Sequence, residues 1–122
     1  MPKIMVIDDS VLMRKYTRGF LEEAGYAVEE FAPRSVAELM DKLLDSMPDL
    51  VISDFNMPDV DGLNVARAVK RTSRDMPIII LTANRDPARE SLLQTVGVHA
   101  ILHKPISGPD LLAAVGKVCS IA

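Results

Sequence analysis

The chain has one cysteine, two histidines and no excess of positive charge, and each lack removes a class of function. With Cys119 alone, neither an internal disulfide nor a cysteine-built metal centre can form, which suits a reducing compartment. Its simplest role is that of a small apolar residue near the last helix. His99 and His103 have no second ligand type at metal spacing and read as filler or surface residues. The net charge of -3 lacks the basic face that a phosphate backbone demands, so nucleic acid is not expected as a partner. No stretch approaches the roughly 20 apolar residues that span a bilayer. The apolar run Ile4–Ile7 is interrupted by Asp8 before it reaches signal-peptide length. A cytoplasmic protein without membrane contact is therefore expected. Internal repeats, low-complexity tracts and linkers are also missing.

What is present is a regular alternation. The 122 residues suit one domain spanning 1–122, and 48% hydrophobic with 25% charged residues excludes disorder by composition. Short apolar runs at Ile4–Ile7, Ala27–Phe31, Leu50–Ser53, Ile78–Leu81 and Ala100–Leu102 take turns with segments of helical spacing. Ile78-Ile79-Ile80-Leu81 is apolar at every position, as a strand covered on both faces must be, which points to a parallel sheet. The fold class is α/β, a doubly wound sheet. Ser10 and Gly25 bracket a first helix over Val11–Ala24, Asp86-Pro87 and Gly97 bracket another, and Ser107 with Asp110 resembles a capping box around Pro109. Pro48 and Pro77 fall just before strands, where a missing donor does least harm. The last helix is expected to run nearly to Ala122, which leaves no residues for an output domain.

In an open α/β sheet the functional side chains gather beyond the carboxyl ends of the strands. There this sequence places Asp8-Asp9 after the first strand, Asp54 after the third, Thr82 after the fourth and Lys104-Pro105 after the fifth. Three carboxylates brought together repel one another unless a cation shares the site. Oxygen-only ligands favour a hard ion, and Mg²⁺ commonly takes one or two carboxylates, waters and a phosphate oxygen. Lys104 adds a mobile positive charge and Thr82 a hydroxyl donor, completing a phosphoryl-binding set. Asp54 stands alone at its strand end and is the candidate nucleophile; Asp8 and Asp9 are the candidate metal ligands. Singly, these residues could be a helix cap, a strand end and a solubilising lysine. Their joint appearance at four strand ends outweighs those readings.

Taken in order, Val6-Ile7-Asp8-Asp9-Ser10, Asp54-Phe55-Asn56-Met57-Pro58-Asp59-Val60-Asp61-Gly62, Leu81-Thr82-Ala83 and Lys104-Pro105 resemble the response-regulator receiver domain, and the resemblance covers the whole chain. It implies about five parallel strands in flavodoxin-like order, with helices on both faces. It further implies Asp54 as phosphoacceptor, and Mg²⁺ held by Asp8, Asp9, Asp54 and the backbone carbonyl of Asn56. Thr82 and Lys104 would hold phosphoryl oxygens, and Ala83 would keep the acceptor accessible. Asn56 and Asn84 would border the path of the hydrolytic water, and the Lys104–Pro105 peptide is commonly cis in such domains. The implied donors are histidine kinases or phosphotransfer proteins bearing a phosphohistidine. One departure stands out: Ile101 occupies the position, three residues before the lysine, where the family often carries a Tyr or Phe that turns inward on activation. Activation is therefore expected to act on Thr82, the Ala83–Pro87 loop and the start of the fourth helix.

The resemblance implies a monomeric switch rather than an enzyme with external turnover. It further implies a chemotaxis-type or phosphorelay messenger whose target would dock on the face formed by the fourth helix, fifth strand and fifth helix. A phosphate sink, or a receiver excised from a larger hybrid protein, would present the same residues. An aspartyl-phosphate phosphatase of the haloacid-dehalogenase kind uses similar groups, but places its nucleophile in a D-x-D motif after the first strand, where this chain has adjacent aspartates.

Overall fold

The alternation in the sequence becomes a strict strand–helix repeat in the computed structural model, which describes residues 2–119. The elements are β1 Lys3–Ile7, α1 Val11–Glu23, β2 Ala27–Phe31, α2 Val36–Ser46, β3 Leu50–Asp54, α3 Gly62–Thr72, β4 Ile78–Thr82, α4 Pro87–Val96, β5 Ala100–His103 and α5 Gly108–Cys119. All strand pairings are parallel and the sheet order is β2-β1-β3-β4-β5, the flavodoxin-like order. The described part of the last helix ends at Cys119, so its expected course to Ala122 lies outside the described residues.

Successive side chains of a strand point to opposite faces, and here both faces are buried. Met5, Ile7, Val51, Ile78 and Ile80 enter one core, closed by Leu39 and Leu43 of α2, Val65 and Val69 of α3 and Leu93 of α4. Ile4, Val6, Leu50, Ile52, Ile79 and Leu81 enter the other, closed by Leu21 of α1 and by Leu111 and Val115 of α5. This two-sided burial is why β4 shows no polar alternation.

The helix starts follow their caps. Ser10 Oγ accepts from Met13 N, Asp86 accepts from Ala88 N and Arg89 N with Pro87 opening the helix, and Gly25 and Gly97 take left-handed backbone at the two helix ends. The expected box around Pro109 is only half formed. Ser107 Oγ accepts from Asp110 N at 3.1 Å, but no return bond from the Asp110 carboxylate exists among the described residues. Aspartate is one methylene shorter than the glutamate that normally closes such a box. The end of α2 has no glycine; Met47 itself adopts φ 42 there.

Gly62, at the start of α3, sits against the strand end that carries Asp54. Its N–H donates to Phe55 O at 2.8 Å, and a Cβ there would lie 2.8 Å from the Phe55 Cα. Because backbone cannot rotate away, Gly62→Ala should destabilise the protein by about 1–3 kcal/mol, seen as a lowered midpoint in denaturant unfolding. An unchanged midpoint would show that the Phe55 segment yields without cost.

Candidate functional site

Parallel pairing in this register carries the chemical residues to one edge. Ile7 pairs with Ser53, so Asp8 is level with Asp54; Asp54 pairs with Leu81, and Thr82 pairs with His103. Asp54 and Thr82 are the last residues of their strands, one residue further than the apolar runs reach, while Asp8 and Lys104 follow directly on β1 and β5. Backbone hydrogen bonds continue past the strands to fix these positions: Phe55 N donates to Leu81 O, and Lys104 N to Thr82 O, both at 2.8 Å.

Asp8, Asp9 and Asp54 each place a carboxylate oxygen within 4.8 Å of the others. Oxygens on opposite sides of a small octahedral cation are separated by about 4 Å, so this donor set fits a hard divalent ion after minor side-chain rotation. Asp8 and Asp54 are only 5% exposed, whereas Asp9 is exposed. Burial pushes the Asp8 carboxyl above its ordinary range; the Ser10 N–H, donating at 2.9 Å, opposes that push. Like charge on Asp54 and Asp9 adds to the rise, and Lys104 counters it. Lys104 Nζ lies 2.6 Å from Asp54 Oδ1, a charge-assisted bond that brings positive charge into the cluster.

Thr82 is 2% exposed, and its hydroxyl is engaged with its own loop, accepting from Asn84 N at 3.1 Å. Asn56 lies exposed in the loop after β3, two residues beyond Asp54. Ala83 and Lys104 line a cleft of about 640 Å³ that runs between α1 and α5 past Leu12, Tyr16, Phe20 and Ile106. Leu12 and Tyr16 expose much of their apolar surface there. Lys104–Pro105 is cis, as the resemblance implies.

Two contributors escaped the sequence reading. Arg14 donates to the Asp8 carbonyl oxygen at 2.6 Å and to Glu30 on β2 at 3.2 Å, and Glu30 also takes Arg18 at 2.9 Å. The loop bearing the acidic pair is thereby tied to the neighbouring strand and to α1. The one available signal was the pair of glutamates inside β2, a place where charge needs a partner. His103 is the second: far from being a filler, it lies 3.2 Å from Glu90 on α4. Its mate His99 is exposed, as expected.

The response regulator receiver domain model matches residues 4–116. "Response regulator MprA" of Mycobacterium sp. (strain KMS) is 34% identical over 111 residues, which is 91% of this chain and 47% of that protein. The chain thus spans about half the length of the curated relatives it matches. Among solved structures, chemotaxis protein CheY4 of Vibrio cholerae is 32% identical with a TM-score of 0.87, covering 97% of this chain and 98% of that one. A receiver domain protein of Clostridium thermocellum is 28% identical, also with a TM-score of 0.87, covering 99% and 96%. Fold, ordered site residues and relatives agree: the chain belongs to the response regulator receiver domain family.

Proposed function

We propose that the chain is a phosphoacceptor switch that takes a phosphoryl group from a phosphohistidine onto Asp54. The observation that carries this reading is the Lys104–Asp54 contact of 2.6 Å inside the acidic cluster with Asp8 and Asp9. An isolated lysine would serve solubility; one drawn to a buried carboxylate beside two more serves charge that arrives. An Asp54 carboxylate oxygen attacks phosphorus, the bond from phosphorus to the imidazole nitrogen breaks, and an acyl phosphate forms on Asp54 while the donor recovers its imidazole electron pair. Lys104 follows the new oxygens, and Thr82 turns its hydroxyl from Asn84 toward them. Asp8, Asp9, Asp54 and the Asn56 carbonyl would hold Mg²⁺, which supplies charge neutralisation for the transferred oxygens. Water later cleaves the acyl phosphate, so turnover is confined to the protein's own modification.

The donor is a histidine kinase or phosphotransfer protein, and the apolar cleft beside Lys104 offers such a partner surface to bury. Output passes to a target protein on the face of α4, β5 and α5, in the manner of a chemotaxis-type or phosphorelay messenger. The protein acts as a cytoplasmic monomer. No helix among the described residues is long and apolar enough to cross a membrane.

Asp54→Asn should abolish phosphorylation by acetyl phosphate or a phosphohistidine donor, read as loss of a one-phosphoryl mass increment. Undiminished labelling would refute Asp54 as acceptor. Asp8 makes a thermodynamic prediction, because its folded-state pKa is raised above 3.8. Between the ordinary and the raised value the native state binds more protons than the unfolded state, so this group lowers stability as pH rises through that window. Without divalent ions at neutral pH, Asp8→Asn should therefore melt higher than the parent. It should also lose most of the stabilisation that Mg²⁺ gives the parent, and a lower melting point with a full Mg²⁺ response would contradict both roles. Lys104→Ala should still accept some phosphoryl group but lose the accompanying amide chemical-shift changes across β4–α4. A normal pattern of shifts in that variant would remove Lys104 from the response.

A further inference from the structure

The first turn of α4 is held from both sides by side chains adjacent to the site. The Arg89 guanidinium stacks 4.6 Å from the ring centroid of Phe55, the residue after Asp54. Glu90 Oε2 lies 3.2 Å from Nε2 of His103, the residue before Lys104. A carboxylate only accepts, so the imidazole is the donor in this bond. Each brace is therefore one peptide bond away from a member of the Asp54–Lys104 pair. Both partners are partly buried, with side chains 20% and 26% exposed. Ile101, two residues earlier on the same face of β5, packs against the core that contains Leu93 of α4 but has no polar atom to offer it.

We propose that the His103–Glu90 hydrogen bond is a latch that holds α4 in its resting place, and that a phosphoryl group on Asp54 releases it. The proposal rests on the phosphoacceptor reading. In the resting arrangement Lys104 reaches Asp54 itself, and the latch is closed. A phosphoryl group interposes new oxygens between the two, so Lys104 must move outward, carrying His103 with it. Thr82 simultaneously gives up Asn84 N, freeing the loop that leads to Asp86 and the first turn of α4. At 3.2 Å the latch is already at the long end of its favourable range, so small opposed movements of β5 and α4 open it. The latch thus supplies a link between β5 and α4 where the family often uses an aromatic side chain.

A bond made only in the resting state opposes the activated one by its full net strength. Glu90→Ala and His103→Ala should each bind beryllofluoride, with Mg²⁺ present, about fivefold more tightly than the parent, the scale of one net hydrogen bond. The double variant should gain no more than either single one, because both remove the same bond. Glu90→Gln, which keeps an acceptor oxygen, should stay near the parent value. A merely structural role for the pair would lower the melting point without this pattern of tightening and non-additivity. Parent-like or weakened binding in the two alanine variants, or additive gains in the double variant, would overturn the latch while leaving the phosphoacceptor reading intact. Failure of the parent itself to bind beryllofluoride would overturn both.

Discussion

Crowding of negative charge at one sheet edge is the constraint on which the rest of the structure depends. Three carboxylates converge within 4.8 Å, two of them buried, an arrangement that costs stability unless positive charge and hydrogen-bond donors meet it. The protein meets it with Lys104 on Asp54, the Ser10 N–H on Asp8, and Arg14 bonded to the carbonyl of Asp8. Burial in two apolar cores, one on each face of the sheet, offsets what remains. A cation entering this cluster would relieve the repulsion directly.

The same edge explains how a change at Asp54 can travel. Phe55 and Thr82 are bonded into the ends of β3 and β4, and Lys104 N is tied to Thr82 O, so the loops leaving these strands share one rim. α4 is braced on that rim by Arg89 and Glu90, whereas its only fully buried side chain is Leu93. Among the described helices this makes α4 lightly anchored to the core relative to α3, which buries five residues. An element with few buried contacts and polar braces near the site is the one a local charge change can move.

Strands were legible because the central ones are buried on both faces and so read as short, mostly apolar runs, and the sequence runs end within one residue of the observed strands. The omitted residues, Lys3, Asp54, Thr82 and His103, are the polar ends of those strands, where hydropathy stops reporting on backbone pairing. Caps at Ser10, Asp86, Gly25 and Gly97 were legible because they act within a few residues. The left-handed Met47 was not, since no glycine or asparagine marks it. The Ser107 box was misjudged because its closure depends on one methylene of side-chain reach.

From sequence alone came the fold class, the set Asp8, Asp9, Asp54, Thr82 and Lys104, and the family resemblance. The first two follow from local periodicity and from residue types at strand ends, which need only the rule that parallel strands share one functional edge, and the resemblance rests on the ordered motifs themselves. The tertiary structure alone decided which carboxylates are buried, that Lys104 selects Asp54, that Arg14 and Glu30 support Asp8, and that His103 meets Glu90. The deciding contacts mostly join residues distant in the chain, 13 positions apart for His103 and Glu90, 16 for Arg14 and Glu30 and 50 for Lys104 and Asp54. Sequence spacing carries no information about such distances until packing closes the chain on itself.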